Sequence, residues 1–188
     1  TMAAEVFDAI VVGAGQGGGP IASAFARDGR KTALIEREYP GGTCVNWGCT
    51  PTKTMIASGR VAHLARRGRD YGVNTGEVSV DMNVVRERTR DIVQSFREGS
   101  SSGIEQTDGL EYIEGEAVFT GDKTLQVSLN AGGVRELAAE LIVLDVGERA
   151  RELDLEIPQD VTLLDNRSVL ELDEVPDHLV VIGGGPIA

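Results

Sequence analysis

The two cysteines of this chain, Cys44 and Cys49, sit five positions apart in the segment Gly41-Gly42-Thr43-Cys44-Val45-Asn46-Trp47-Gly48-Cys49-Thr50-Pro51-Thr52-Lys53. A lone thiol pair in a reducing compartment is more often catalytic or metal-binding than structural. Zinc takes about four ligands, and the sequence offers only His63 and His178 as histidines, so no resident metal site is expected. Two inert, buried thiols are the competing reading. On a regular helix, positions five apart diverge by roughly 140°, so a bond between the sulfurs requires a distorted turn, which Gly48 and Pro51 could supply. A cysteine near a helix N-terminus is also where thiolate is favoured over thiol.

A second chemical signal lies upstream. Gly13, Gly15 and Gly18 have the G-x-G-x-x-G spacing of a dinucleotide-binding turn. The first glycine permits the tight turn, the second lets a pyrophosphate approach the backbone, and the third lets helix pack on strand. The anion then rests on unpaired N–H groups at the positive end of the helix dipole. Glu36 follows Gly18 by 18 residues, where a carboxylate can accept hydrogen bonds from the ribose hydroxyls. A glycine-rich turn without ligand is the plainer alternative, and the motif alone does not separate NAD from FAD.

These residues need a scaffold, and the flanking pattern provides one. Phe7 to Val12 is a short apolar run of the kind a strand buried on both faces shows. Pro20 suits a first helical turn, Ile21, Ala24 and Phe25 share one helical face, and Gly29 closes the helix. Lys31 to Ile35 reads as the next strand, completing one βαβ unit. Beyond the cysteines, Met55 to Arg69 is predicted as a helix packing through Ile56, Val61, Leu64 and Ala65. Asp81 is the predicted N-cap of another, with Val85, Thr89, Ile92, Val93 and Phe96 at helical spacing. The Gly99–Gly103 stretch is its expected end, with Gly99 inside the helix as the alternative. Short strands follow at Leu110–Ile113, Ala117–Phe119, Leu125–Leu129, Val134–Leu137 and Leu141–Leu144, with a hairpin break at Asn130-Ala131-Gly132-Gly133. His178 to Pro186 then repeats the opening pattern of an apolar strand running into glycines. The expectation is a second dinucleotide-type unit cut short after its first strand.

Composition narrows the function classes. The 188 residues are 41% hydrophobic and 26% charged, a globular balance. No run approaches the roughly 20 apolar residues that span a bilayer. Thr1 to Asp8 lack the basic start and apolar stretch of a secretory signal, so a cytoplasmic location is expected. The net charge is −12, which disfavours nucleic acid and anionic membranes as partners. Residues 1–100 carry 13 basic against 11 acidic side chains, and residues 101–188 carry 5 against 19. Those acids alternate with strand-like apolar residues, as on a solvated sheet surface. Three lysines stand against fifteen arginines, so Lys53, beside the cysteine segment, draws notice.

The cysteine segment, with Val45-Asn46 inside it and Pro51-Thr52-Lys53 after it, resembles the redox-active segment of the pyridine nucleotide–disulfide oxidoreductases. Within that group it is most similar to the mercuric-reductase-like and dihydrolipoamide-dehydrogenase-like proteins. The resemblance runs from Asp8 to about Ala188. It implies an α/β fold: a Rossmann-like FAD-binding domain over residues 1–148, with a helical excursion and a β-meander. Residues 149–188 are then a linker and the start of a truncated NAD(P)-binding domain.

By position, the resemblance implies FAD on Gly13, Gly15, Gln16 and Gly18, with Glu36 on the adenosine ribose and Arg37 beside it. Gly42, Thr43 and Lys53 would line the flavin, and Glu116 and Ala117 would meet the adenine. Asp145-Val146-Gly147 takes the place of a second flavin-contacting turn that usually reads Thr-Gly. Val146 has no hydroxyl to donate there, whereas Gly147 permits close backbone approach. Cys49 would lie against the flavin and Cys44 would exchange with a disulfide, a dithiol or Hg(II), with Lys53 favouring reduced, anionic flavin electrostatically. Electrons would come from NAD(P)H, and the parent protein would be a homodimer. Two alternatives remain open: a non-catalytic flavin- or nucleotide-binding module, and a thiol-exchange or metal-sequestering protein that holds no flavin.

Overall fold

The computed structural model describes residues 4–151 and 156–185. Pro186, the end of the expected second glycine turn, lies outside the described residues. The chain divides into two compact units, one of residues 1–46 and 94–148, the other of residues 47–93 and 149–188.

The first unit is built on five strands. β1 (Glu5–Val12) pairs in parallel with β2 (Thr32–Glu36) on one side and β5 (Val134–Leu144) on the other. β2 pairs in parallel with the first half of β3 (Leu110–Gly121). The second half of β3 turns back through β4 (Thr124–Leu129) to β5 as an antiparallel meander, closing the strands into a barrel.

Alternation along the strands serves two cores. Ile10, Ala33, Ile35, Ile113, Val127 and Leu137 fill the space between the parallel strands and the meander. Val11, Leu34 and Ala14 point to the opposite face, where Ala22 and Ile104 cover them from helices. β1 is therefore buried on both faces from Ala9 to Val11, as its mostly apolar run predicts, while Asp8 is exposed.

The βαβ unit forms as expected, with one correction to its packing. α1 (Gly18–Arg27) buries Gly18, Ala22 and Ala26; of the expected face only Phe25 packs, partly buried against the second core. Ile21 and Ala24 are exposed and Phe25 is half-buried. Small residues at four-residue spacing let the helix axis lie close to β1, which the bulkier stripe cannot do. Gly29 ends the helix with φ +81°, donating to the Ala26 carbonyl.

The predicted strand pairs 110–113 with 117–119, and 134–137 with 141–144, prove to be two long strands. Glu114-Gly115-Glu116 reads as a turn, yet Gly115 stays in the ladder, because a Cβ there would lie 2.6 Å from the Ser128 carbonyl oxygen. The glycine is a close-approach site inside a strand. The hairpin at Asn130–Gly133 joins β4 to β5 as read, with Gly132 and Gly133 at φ +93° and +94°.

α4 (Met82–Glu105) is longer than the glycine-serine stretch suggests. The expected N-cap holds, with Asp81 Oδ1 accepting from the backbone N–H groups of Asn83 and Val84 at 3.0 and 3.3 Å. The helix runs through Gly99 because Ile104, only 6% exposed, is buried in the second core of the first unit. Tertiary burial outweighs the roughly 1 kcal/mol that a mid-helix glycine costs. Of the predicted packing residues, Thr89 and Val93 are buried and Phe96 is exposed.

In the second unit, α3 (Cys49–Arg66) starts six residues earlier than predicted and ends three earlier. Two features sustain its first turns despite Thr50, Pro51 and Thr52. Pro51 near the start loses no intrahelical bond, and Thr52 and Thr54 bond back to the carbonyls of Gly48 and Thr50 at 2.7 and 2.8 Å. The expected stripe is not what packs. Ile56, Val61 and Leu64 are exposed and Ala65 is half-buried, while Pro51 and Thr54 are buried. Arg88 of α4 reaches the Thr54 carbonyl at 3.1 Å. A polar bond to a helix backbone thus replaces the predicted apolar seam.

The strand expected at the chain's end does not form. Leu179 to Ile182 take no regular secondary structure and are more than half exposed. A strand is stable only with partners for its backbone groups, and β1–β5 all pair among themselves in the first unit.

Candidate functional site

The chemistry-bearing residues of the first unit converge where β1, β2 and β5 end. Val12 hands the chain to Gly13, which adopts φ +102° and donates to the Ile35 carbonyl at 2.7 Å. A Cβ at Gly13 would lie 2.1 Å from the Asp145 carbonyl oxygen, and one at Gly18 would lie 1.9 Å from the Gly13 carbonyl oxygen. Both positions therefore require glycine on contact grounds, and the turn is packed as the spacing predicts.

Glu36, at the tip of β2, faces this turn. Its Oε2 accepts from the Ala14 N–H at 2.8 Å and its Oε1 accepts from the Glu38 N–H at 2.8 Å. One carboxylate thereby fixes the glycine turn and the loop after β2. Gln16 ties the same turn to the cysteine segment, donating from Nε2 to the Gly41 carbonyl at 3.0 Å. Gly41 donates to the Ala14 carbonyl at 2.7 Å. Gly42 lies so near that a Cβ on it would be 2.8 Å from the Gly15 Cα.

Arg37 and Glu116 form an ion pair at 3.2 Å across β2 and β3, and Asn130 donates to the Arg37 carbonyl at 3.1 Å. Ala117 follows in β3, opposite Val127 of β4. Burial, reinforced by the carboxylates of Glu36, Glu114 and Glu105, pushes the Tyr112 hydroxyl far above the usual phenol range. This end of the sheet is acidic, so a phenolate is strongly disfavoured.

α2 (Gly42–Asn46) carries Thr43, exposed, and Cys44, half-buried. Asn46, 3% exposed, donates from Nδ2 to the carbonyls of Pro40 and Gly42 at 3.1 and 2.8 Å, and its Oδ1 accepts from Arg97 Nε. Arg97 stacks over the Tyr39 ring at 3.8 Å. The Asn46–Arg97–Tyr39 cluster stands beside a cleft of about 440 Å³ with Glu38, Glu98 and Glu105 in its wall. Sequence reasoning passed over this cluster. Its one signal was an asparagine, a weak helix former, placed inside a five-residue helix.

In the second unit, Cys49 is the first residue of α3 and exposed, and Lys53 projects from the same helix, also exposed. Trp47 lies under the Arg167 guanidinium at 4.5 Å. His63 is exposed on α3 and His178 is exposed beyond the 3-10 turn of Ser168–Glu171.

Asp145 is where the structure departs most from expectation. Its place at the end of β5 holds, with its N–H donating to the Val12 carbonyl at 2.8 Å. Its side chain turns into the glycine loop, where Oδ2 accepts from the Gly18 N–H at 2.7 Å. The backbone scaffold of an anion cradle is thus present, and a carboxylate of the chain itself faces it. Val146 and Gly147 are exposed, Gly147 at φ +64°. Among the described residues no cluster of three or more His, Cys, Asp or Glu could hold a metal, and no helix is long and apolar enough to cross a membrane.

Known proteins resemble the chain over nearly its whole length. The chain is 37% identical over 187 residues to dihydrolipoyl dehydrogenase of Chlorobaculum tepidum, a match covering 100% of this chain and 39% of that protein. It is 32% identical over 182 residues to mercuric reductase of Staphylococcus aureus, covering 97% of this chain and 32% of the relative. The chain therefore spans about two fifths or less of the relatives it matches. A model of the pyridine nucleotide-disulphide oxidoreductases matches residues 7–188, and the chain belongs to that family.

Proposed function

We propose that this chain is the FAD-binding, cysteine-bearing part of a flavin-dependent oxidoreductase. That protein would pass electrons from NAD(P)H to a Cys44–Cys49 disulfide and on to a small disulfide substrate or Hg(II). The observation that carries the reading is the packed glycine turn, whose Gly13 and Gly18 admit no Cβ and whose Ala14 N–H is held by Glu36. Such a turn leaves backbone exposed to a pyrophosphate and sets a carboxylate near a ribose. The names of the relatives supply the substrate classes, a dihydrolipoyl dithiol and mercuric ion.

In this reading residues 1–148 hold FAD, and residues 149–188 lead into an NAD(P)-binding domain of a soluble, cytoplasmic homodimer. Gly13, Gly15, Gln16 and Gly18 would hold the pyrophosphate and Glu36 the ribose. Arg37, Glu116 and Ala117 would border the adenine. Gly42, Thr43, Lys53 and Gly147 would border the flavin, with Asp145 contributing only its backbone. The bound flavin supplies two-electron transfer between a nicotinamide and a disulfide.

The cysteines do the rest. Two electrons and two protons convert the Cys44–Cys49 disulfide to two thiols. The Cys44 thiolate attacks one sulfur of the substrate disulfide, releasing the first thiol product and forming a mixed disulfide. The Cys49 thiolate then attacks Cys44, re-forming the intramolecular bond and releasing the second thiol product. The same steps in reverse oxidise a dithiol. With Hg(II), the two sulfurs act as soft ligands.

The test is reconstitution. The purified chain mixed with FAD and desalted should retain the flavin absorbance bands. The intact parent should oxidise NAD(P)H with a disulfide or Hg(II), and Cys44→Ser or Cys49→Ser should each abolish that turnover while leaving bound flavin in place. Flavin-free protein after reconstitution, or full turnover in either serine variant, overturns the proposal.

A further inference from the structure

The described carboxylate of Asp145 lies across the turn that would take a pyrophosphate. Its Oδ2 accepts from the Gly18 N–H at 2.7 Å, the length of a charge-assisted bond. The same oxygen is 2.7 Å from where a Cβ of Gly15 would stand, and Oδ1 is 3.4 Å from that of Gly17. The carboxylate thus covers the loop from Gly15 to Gly18. Its aim is set by the backbone, because the Asp145 N–H is held by Val12 in the ladder pairing β1 with β5.

α1 has no acidic residue in its first turn and no side-chain cap of its own; Gly17 occupies the N-cap. Asp145 supplies both from another strand, 127 positions away. A helix N-terminus favours one anion in its first turn, and two anions on the same N–H groups repel each other.

We infer that Asp145 is an intramolecular occupant of the phosphate cradle, and that a dinucleotide enters only by displacing its carboxylate. Asp145 is then the residue that sets cofactor affinity. It stabilises the empty turn and opposes the filled one. The inference rests on the FAD reading above, and it adds a residue whose side chain acts against binding.

The experiment titrates FAD into the 188-residue chain and into its Asp145→Ala and Asp145→Asn variants, following flavin fluorescence. Melting is recorded with and without FAD. Removing a charge-assisted bond that must be broken before binding should lower the FAD dissociation constant about tenfold or more in Asp145→Ala. Asp145→Asn, which keeps the shape without the charge, should fall between. Without FAD, both variants should melt below the parent chain, and saturating FAD should raise their melting temperatures by more than it raises the parent's. Equal or weaker FAD binding in both variants, with the parent chain binding FAD, overturns the role of Asp145 and leaves the FAD reading standing. Absence of FAD binding in all three proteins overturns the FAD reading and the inference with it.

Discussion

Alanine at Gly18 separates steric fit from helix propensity at a site where the two oppose each other. The added Cβ would lie 1.9 Å from the Gly13 carbonyl oxygen and 3.0 Å from Asp145 Oδ2. Relief requires the Gly13 carbonyl to move by about 1 Å, and Gly13 is pinned by its bond to Ile35 and by its φ of +102°. Overpacking of this kind costs about 1–3 kcal/mol, and breaking the Asp145 bond adds to it. Propensity gives back under about 1 kcal/mol, and less at a first helical position. Sterics win, by about 2 kcal/mol.

Gly99→Ala is the matched control. It sits in α4, in the same compact unit, with nothing within 4 Å of its Cβ position, so the same methyl should stabilise by about 0.5–1 kcal/mol. Urea unfolding followed by circular dichroism reads both. At about 2–4 °C per kcal/mol for a chain of this size, Gly18→Ala should lower the melting temperature by about 4–8 °C while Gly99→Ala raises it. Gly18→Ala at or above the parent midpoint, or the two variants shifting in the same direction, refutes the packing argument.

Four further substitutions, at three positions, test the unit around the turn. Glu36→Ala removes the acceptor of the Ala14 N–H, and Ala14 is only 2% exposed, so urea unfolding should show a loss of about 1–3 kcal/mol. Glu36→Gln keeps one acceptor but sets an NH2 against the other of the two N–H donors, Ala14 and Glu38, and should recover only part of that loss. Asn46→Ala strips partners from the Pro40 and Gly42 carbonyls and should cost about 2–3 kcal/mol by the same measurement. The bidentate Arg135 guanidinium beside Glu5 holds that carboxyl below its usual range. A lowered carboxyl contributes stability above its unfolded pKa and loses it as pH falls through the folded one. Parent minus Glu5→Gln in urea midpoint should therefore be constant near neutrality and shrink below the ordinary carboxylate range. The pair is solvent-exposed, so the full difference should stay under about 1 kcal/mol.

The sequence carried those features whose signal is local. The turn at Gly13–Gly18 was legible because glycines at that spacing between an apolar run and a helix answer a backbone requirement. The N-cap at Asp81 and the break at Asn130–Gly133 were legible for the same reason, since each side chain or glycine acts within three residues of itself. The cysteine pair pointed by composition to reactive or metal-binding thiols, in a chain with two histidines, and its redox role came only as what the family resemblance implies.

What escaped the sequence was settled by partners far along the chain. Ile104 carries α4 past Gly99 because a core waits beneath it, and Gly115 stays in β3 because the Ser128 carbonyl of the neighbouring strand leaves room for nothing larger. Leu179 to Ile182 have the composition of a strand and no ladder to join. Asp145 makes the distinction sharpest. Its position beside a conspicuous glycine could be read from the sequence, but the direction of its carboxylate depends on parallel pairing between β1 and β5. That pairing sets residue 145 against a helix end 127 positions earlier. Local chemistry determined which backbone could receive an anion, and tertiary register decided that one of the chain's own carboxylates rests there, because only folding brings two such distant charges and dipoles together.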